Sequence, residues 1–373
     1  MKKTLLIAGL AAMLAAACTP KAGLTASGLD PGNFEGERDG VSLGLYTLTN
    51  SSGMEVCITN FGGRIVSMMV PDRDGNLRDV VLGFDKVSDY FPENNQTDFG
   101  ASIGRYANRI KDGRIVIDGV QYQLPQNNFG HCLHGGPTGW QYQPYEVLEH
   151  TGNRLRLLRH SPDGDNGFPG AVDATVEFLL DEDDMLHIDY EATTDAPTVI
   201  NMTNHSYFNL NGAGNGDILG HQLQVLADNT TEADRDLIPT GKLTPVEGTP
   251  YDFRKPVTLS DRQVAVQGFG FGFGQRGEIP EGKVRQYDTN FCLNHTDPKK
   301  VEKVAEVYAP ESGRVMEVWN NHPGMQVYTG GRTALALESQ MYPDTPNHPE
   351  FPSARLDPGQ KYQHTCIYKF SVR

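Results

Sequence analysis

The chain has 373 residues, of which 38% are hydrophobic, and it contains 41 glycines and 23 prolines. This composition supplies a large core with many turns and excludes a disordered or collagen-like chain. With 32 basic and 47 acidic residues the formal net charge is −15, which argues against nucleic acid as a partner because phosphate backbones bind basic surfaces.

The N-terminus has the form of a bacterial export signal. Lys2 and Lys3 precede an apolar run that is too short to span a bilayer, so we predict a signal peptide over residues 1–17. Two processing routes stay open. Cleavage at an A-x-A site would release a soluble periplasmic protein, whereas lipidation of Cys18 would anchor the protein to a membrane. We favour lipidation, although Leu14 lies one position further from the cysteine than in the usual lipoprotein signal.

The segment after the signal is rich in small and polar residues. Residues 18–36 therefore predict a flexible tether, and no linker or composition shift divides residues 37–373, so we expect one domain there. The remaining cysteines show no C-x-x-C spacing, which argues against a cysteine-based zinc site. We expect buried thiols, with their pairing left open by the sequence, at Cys57, Cys132, Cys292 and Cys366.

The body of the chain consists of short alternating runs that are typical of β-strands. Runs 114–118 and 120–124 meet at Asp118-Gly119, which predicts a hairpin. Helical periodicity is nearly absent apart from one or two turns over residues 85–90. Further alternating runs occur at 154–158, 174–178, 186–190, 222–226 and 314–319. Regular short strands with turn residues between them favour an all-β sandwich or barrel.

Two of the eleven histidines lie in unusual contexts. His134 precedes two glycines, which let a backbone or a ligand approach closely. His205 lies in segment 201–210, which holds more polar and aromatic side chains than a half-buried strand needs. Either histidine taken alone could be structural. Structural or surface roles are expected for His150, His160, His187, His221, His295 and His348.

Three charged residues are candidates for chemistry. Glu338 ends a run of small apolar residues, so poor solvation should raise its pKa toward that of a general base near neutrality. The alternative is a strand-end glutamate that pairs with an arginine. Asp288 precedes an apolar strand, and Arg109 closes a loop that contains glycine and asparagine. Taken alone, Arg109 would be a salt-bridge residue.

The motifs taken together resemble the aldose 1-epimerase family, also called galactose mutarotases. No single motif is unique, but the ordered set over about residues 40–373 is very specific. In order the motifs are Gly104-Arg-Tyr-Ala-Asn-Arg-Ile110, Leu133-His-Gly-Gly136, Asn204-His-Ser-Tyr-Phe-Asn-Leu210, 237–241, 251–256, 287–291, 326–330, 337–340 and the tail 356–370. Trp140 and the run 341–343 depart from the usual family residues, at positions that could alter sugar preference.

This resemblance implies a large antiparallel β-sandwich whose groove binds a free hexose such as galactose or glucose. The implied activity is the interconversion of α and β anomers by ring opening and reclosure. Glu338 is implied as the base at the anomeric hydroxyl, and His205 as the acid at the ring oxygen, protonated at the start. The implied sugar contacts are Asn108, Arg109, His134, Tyr207, Asp288 and Gln326.

One base and one acid suffice for this reaction, so no cofactor or catalytic metal is expected. The acidic composition leaves a bound surface Ca²⁺ open, although no EF-hand-like loop occurs. The expected partner is a small sugar, with a membrane contacted only through the lipid anchor. The sequence determines neither the oligomeric state nor the preferred hexose.

Three other classes of protein compete with this interpretation. A glycoside hydrolase needs two carboxylates, for which Asp288 and Glu338 would be proposed, but it has little use for His134 and His205. A non-catalytic sugar-binding lipoprotein needs no acid–base pair. A phosphosugar epimerase would need additional basic residues near the groove, which the net charge of −15 does not suggest.

Overall fold

The computed structural model describes residues 23–264, 279–297, 299–330 and 333–373. The predicted signal peptide over 1–17 and the predicted lipidation site Cys18 lie outside these residues. Within the described ranges no helix is long and apolar enough to cross a membrane.

Strands dominate the described chain. In chain order they are β1 Gly36–Arg38, β2 Val41–Leu43, β3 Leu45–Thr49, β4 Glu55–Thr59, β5 Arg64–Pro71, β6 Leu77–Asp79, β7 Ala101–Ile103, β8 Arg109–Ile110, β9 Arg114–Ile117, β10 Val120–Gln123, β11 Cys132–Leu133, β12 Glu146–His150, β13 Arg154–Ser161, β14 Val172–Leu180, β15 Met185–Thr194, β16 Thr198–Val199, β17 Thr203–His205, β18 Tyr207–Phe208, β19 Gln222–Val225, β20 Ala227–Ala233, β21 Pro239–Pro245, β22 Val257–Thr258, β23 Asp288–Leu293, β24 Glu302–Tyr308, β25 Arg314–Asn320, β26 Gly324–Tyr328, β27 Leu335–Gln340, β28 Arg355–Leu356 and β29 Tyr362–Val372.

Helices are short. The 3-10 turns are Pro31–Phe34, Val87–Tyr90, Lys111–Gly113, Trp140–Tyr142, Asp165–Gly167 and Thr345–Asn347, and the α-helical turn is Leu259–Arg262. The turn Val87–Tyr90 lies in the segment 85–90 where the sequence predicted one.

Three antiparallel sheets form the body of the protein. The largest has nine strands in the order β12-β13-β14-β15-β29-β25-β24-β19-β22, the second has six in the order β18-β27-β26-β23-β20-β21, and the third has four in the order β3-β4-β5-β6. One buried hydrophobic cluster contains Ile65 of the third sheet, Val176 of the first and Leu337 of the second. The predicted antiparallel β-sandwich is therefore confirmed.

Burial patterns separate outer strands from inner ones. Along β14 and β15 buried residues alternate with residues that reach solvent, the period of two expected of a sheet with one wet face. Every residue of β27 is buried, because structure covers both faces of that strand. A carboxylate on β27, such as that of Glu338, is consequently held away from bulk water.

The hairpin predicted at residues 118–119 is present. Ile117 pairs with Val120, and Asp118 and Gly119 have φ angles of 51° and 82°. Positive φ at both central residues matches the two-residue turn that suits the right-handed twist of the strands. The prediction of buried free thiols is also confirmed for Cys57, Cys132, Cys292 and Cys366.

The tether prediction was wrong for the described part of segment 18–36. The backbone N–H groups of Ala26 and Ser27 donate to the Glu55 carboxylate, and Phe34 is fully buried against Phe61 and neighbouring residues. Small residues predicted flexibility, but the segment gains a buried aromatic ring and a hydrogen-bonding carboxylate, which offset the entropy of ordering it. Residues 23–36 are thus part of the folded body.

Candidate active site

A pocket of about 740 Å³ opens beside the six-stranded sheet. It is lined by residues that lie far apart in the sequence. All eight predicted catalytic and sugar-binding residues line it, namely Asn108, Arg109, His134, His205, Tyr207, Asp288, Gln326 and Glu338. The structure therefore brings the whole predicted set together in one place.

Three adjacent strands form one wall of the pocket. Gln326 on β26 lies opposite Glu338 on β27 and opposite Asn290 on β23. The Gln326 amide donates from Nε2 to Oδ1 of Asp288 at 2.6 Å, which fixes both side chains. Pairing of central strands thus presents one amide and two carboxyl groups to the same space.

His205 faces this wall from another pair of strands. It ends β17, where it pairs with Ala101 of β7, and its Nε2 lies 3.4 Å from Oε1 of Glu338. The imidazole stacks on the Tyr207 ring with a centroid distance of 4.9 Å and an interplanar angle of 23°. Strand pairing and stacking therefore hold an imidazole against a buried carboxyl group.

Burial changes the pKa of the Glu338 carboxyl group. Removal from water raises its pKa to about 7, the nearby His205 lowers it, and the Asp288 carboxylate raises it further. The sequence context predicted this upward shift. Among the described residues the ion-pair partner of Glu338 is His205 rather than an arginine, which disfavours the purely structural alternative.

His134 is held as a neutral hydrogen-bond donor. Its backbone has a φ of 50°, and its Nδ1 accepts a hydrogen bond from the backbone N–H of Asn108 at 3.1 Å. Burial lowers the pKa of His134 to about 3. Since Nδ1 is the acceptor, the ring hydrogen is on Nε2. The glycine directly after His134 allows a close approach of two backbone segments, because a Cβ at Gly135 would lie 2.2 Å from the carbonyl oxygen of Gly104.

Arg109 is oriented without a carboxylate partner. Its Nε donates to Oδ1 of Asn128 at 3.3 Å, while its backbone N–H donates to Oδ1 of Asn108 at 2.9 Å. Within the described ranges it forms no ion pair, so the salt-bridge alternative is not supported. The terminal nitrogens of Arg109 are available to hydroxyl oxygens of a ligand.

Asp98 is a pocket residue that the sequence reasoning missed. It lies in an irregular segment just before β7, and nothing in the neighbouring residues marks it. Its link to the site is spatial, because β7, which follows it, pairs with β17. A pattern of strand and turn residues gives no signal for such a position.

Asp98 also raises the question of a metal. One ligand atom each of Asp98, His134 and His205 lies within 4.8 Å of the others. A metal ligand must present a lone pair, but Nδ1 of His134 is engaged by the Asn108 N–H and Nε2 carries the ring hydrogen. This donor set therefore suits hydrogen bonding to a polar ligand better than metal coordination.

The two departures from the family pattern lie away from the pocket lining. Trp140 is buried in the main core, and a Cβ at Gly104 would lie 2.0 Å from its ring. Met341 packs in a smaller cluster with Tyr106 and Ile110. An effect of these residues on sugar preference would consequently have to be indirect.

Comparisons with known proteins agree with this geometry. The family profile described as aldose 1-epimerase matches residues 44–369. A galactose mutarotase of Mus musculus is 38% identical over 338 residues, which cover 86% of this chain and 92% of that protein. An aldose 1-epimerase of Escherichia coli K12 is 35% identical over 350 residues, covering 89% of this chain and 96% of the relative.

Solved structures give the same result at the level of the fold. The crystal structure of a GalM/aldose epimerase homologue from C. elegans has a TM-score of 0.79 and 28% identity, covering 88% of this chain and 99% of that chain. A galactose 1-epimerase from Lactobacillus acidophilus has a TM-score of 0.74 and 25% identity, covering 91% and 97% respectively.

Proposed function

Because the chain belongs to the aldose 1-epimerase family, whose members interconvert the anomers of aldoses, we propose that Glu338 and His205 are its catalytic base and acid. The chain is an isomerase of free sugars. The observation that carries the assignment of roles is the buried contact of 3.4 Å between His205 Nε2 and Glu338 Oε1 beside an open pocket. One proton acceptor and one proton donor are thereby available side by side.

The proposed reaction begins with a closed pyranose. The Glu338 carboxylate removes the proton from the anomeric hydroxyl while protonated His205 gives its proton to the ring oxygen. The bond between C1 and the ring oxygen breaks, which leaves an open-chain aldehyde, a neutral Glu338 and a neutral imidazole. Rotation about the C1–C2 bond presents the other face of the aldehyde. The ring hydroxyl then attacks C1 and returns its proton to His205 while Glu338 protonates the new anomeric oxygen.

Neighbouring groups support this assignment. The pKa of Glu338, raised by burial to about 7, suits a base that must be regenerated in each cycle near neutrality. The Nε2–H of neutral His134 and the guanidinium of Arg109 would donate to sugar oxygens. Asp288, Gln326, Tyr207 and Asn108 would contact the ring hydroxyls. Fixed donors and acceptors of this kind lower the entropy lost on reaching the reactive geometry.

We further propose that the reaction uses no metal or organic cofactor. Both proton transfers are assigned to side chains, and the donor set around Asp98 does not suit a metal. Dialysis against a chelator should leave the rate unchanged, and loss of activity that added metal restores would contradict this part of the proposal.

Polarimetry on freshly dissolved α-galactose and α-glucose tests the roles. The wild-type protein should speed the approach to equilibrium, and Glu338→Gln should remove at least 99% of that effect while retaining sugar binding. A variant that keeps a tenth of the wild-type rate would remove Glu338 from the role of base. The relative rates rank the two hexoses, and release of sugar from an aryl glycoside would favour a hydrolase.

We also propose that the protein is exported and carries a lipid on Cys18. The basic start, the short apolar run and the cysteine support this location. From Cys18 to Thr25, where described contacts begin, the chain reaches at most about 25 Å, so a lipidated protein would work close to the membrane.

Fractionation of cells that express the full chain, with mass analysis of the mature N-terminus, tests the location. The wild type should be found in the membrane fraction and a Cys18→Ala variant in the soluble periplasmic fraction. A mature protein that begins at Met1 in the cytoplasm would overturn export, and a soluble wild type cleaved at the A-x-A site would overturn lipidation alone.

A further inference from the structure

Asp98 presents a hydrogen-bond acceptor to the pocket. It lines the pocket, and its Oδ1 is buried without a hydrogen-bond partner among the described residues. Buried polar atoms in folded proteins almost always have partners, so an orphan acceptor in a ligand pocket marks a place where a ligand donor fits. The proton-transfer steps assigned to Glu338 and His205 do not use this carboxylate.

Three hydrogen bonds hold the backbone around Asp98. The fully buried guanidinium of Arg64 donates to the carbonyl oxygens of Phe99 at 2.8 Å and Thr97 at 3.0 Å. The N–H of Ala101 donates to the carbonyl oxygen of Asp98 itself at 3.0 Å. The backbone that carries the carboxylate is therefore positioned before a ligand arrives, which favours discrimination between ligands.

The proposed roles of Glu338 and His205 orient the sugar relative to Asp98. Glu338 marks the anomeric oxygen, and His205 marks the ring oxygen, which is bonded to C1 and C5. Asp98 lies with His134 and His205 in a group whose ligand atoms are within 4.8 Å of one another. It reaches His205 from the segment before β7, which pairs with β17, whereas Glu338 reaches the same imidazole from β27. Asp98 is thus on the ring-oxygen side, and because Glu338 is placed at C1, the C5 end of the ring oxygen is the one that faces Asp98.

The charges around the pocket are unequal. Among its described lining residues Asp98, Asp288 and Glu338 carry carboxyl groups, whereas Arg109 carries a guanidinium and His205 the imidazole that is protonated at the start of the reaction. An anionic group on the sugar would meet an excess of negative charge there, whereas a cationic group would be attracted.

Resting on the proposed function, we propose that Asp98 determines specificity by facing the substituent on C5 of the bound hexose. Its carboxylate accepts a hydrogen bond from a hydroxymethyl group and attracts a protonated aminomethyl group. It repels a carboxylate at the same position. The substrate class is accordingly neutral or cationic hexoses, with hexuronic acids excluded.

Calorimetric titration of the full protein with three sugars tests this inference. The probes are galactose, galacturonic acid, which has a carboxylate at C6, and 6-amino-6-deoxygalactose, which is cationic at pH 7. Relative to galactose, Asp98→Asn should tighten binding of galacturonic acid at least fivefold and weaken binding of the amino sugar at least fivefold. If Asp98→Asn changes both affinity ratios, galacturonic acid to galactose and amino sugar to galactose, by less than fivefold, the inference is overturned.

Two controls sharpen the result. Asp85→Asn removes the same charge from an exposed position just before the turn Val87–Tyr90. It should leave the affinities for the two charged sugars, relative to galactose, unchanged. With 2-amino-2-deoxygalactose, whose charge is next to C1, the loss caused by Asp98→Asn should be smaller than with the C6 amine, and a larger loss would overturn the placement at C5. Asp98→Ser supplies a second neutral variant if the asparagine variant does not fold.

Parallel polarimetry separates this inference from the proposed function. A wild type that binds sugars in the expected order of charge but does not speed mutarotation would overturn the acid–base roles and leave charge selection by Asp98 standing. A wild type that speeds mutarotation while Asp98→Asn leaves the binding ratios unchanged would overturn only the role of Asp98.

Discussion

Nε2 of His205 lies 3.4 Å from Oε1 of Glu338, and the other nitrogen and the other oxygen of the two groups have no hydrogen-bond partner in the described part of the chain. Each member of the pair is therefore held by the other and keeps one free atom. Loss of either member leaves a buried polar group uncompensated, so the two residues should behave as a unit under mutation.

Replacement of the acid should cost nearly as much activity as replacement of the base. His205→Asn keeps a polar side chain but cannot deliver a proton to the ring oxygen, and we expect the turnover rate to fall by about 10²–10⁴-fold. Polarimetry at saturating galactose measures this. A double variant with Glu338→Gln should be little slower than either single variant, and multiplicative losses would contradict the unit behaviour.

The rate should depend on pH through the Glu338 carboxyl group. Since burial raises its pKa to about 7, the base is ionised above this pH and protonated below it, so kcat/KM should fall as pH decreases through about 7. Asp288→Asn removes a negative charge that raises this pKa, and the acidic limb should move to lower pH even if the overall rate falls. A limb that stays in place would show that another group controls it.

Arg109 should be sensitive to a change that preserves its charge. The guanidinium is oriented by its Nε bond to Asn128, and lysine has neither that nitrogen nor the forked geometry. We expect Arg109→Lys to raise KM for galactose at least tenfold with a smaller change in turnover rate. Initial rates over a range of galactose concentrations check this. An unchanged KM would contradict the proposed contact between Arg109 and the sugar.

The N-terminal segment should contribute to stability. Phe34 is fully buried, so Phe34→Ala should lower the free energy of unfolding by about 3–5 kcal/mol. Urea denaturation of the chain from residue 19 onward measures this loss. Leu77→Ala, at an exposed position, is the matched control and should lower it by less than about 1 kcal/mol. A flexible segment would give equal, small losses at both positions.

A buried pair of histidines should make the fold sensitive to acid. The rings of His322 and His364 stack with centroids 3.7 Å apart, and burial lowers the pKa of His322 to about 3 and that of His364 well below its usual value. The unfolded chain binds protons near pH 6.5, so the stability that the neutral pair provides is complete above that pH and declines as the pH falls below it.

The decline should be measurable by urea denaturation between pH 7 and pH 5. Each depressed histidine contributes up to about 1.4 kcal/mol per pH unit below 6.5. His322→Gln should be less stable than the wild type at pH 7 and should lose less stability on acidification. Parallel curves for the two proteins would contradict the role of the pair.

Local patterns in the sequence predicted local structure well. The Asp118-Gly119 hairpin and the alternating strands follow from turn chemistry and period two, and the poor solvation of Glu338 follows from its apolar neighbours. Local sequence patterns could not predict the tertiary contacts. Asp98 is brought to the pocket by tertiary contacts such as the pairing of β7 with β17, and residues 23–36 are ordered by contacts with Glu55 and with side chains distant in sequence.

The position of β29 has a consequence for how the chain is made. This last strand lies at the centre of the nine-stranded sheet, between β15 and β25, which end at residues 194 and 320. During synthesis both of those strands wait with an unpaired edge until residues 362–372 emerge, and exposed edges invite association with other chains. The nine-stranded sheet can therefore be completed only after residues 362–372 are available, and until then its two halves are open to misassociation.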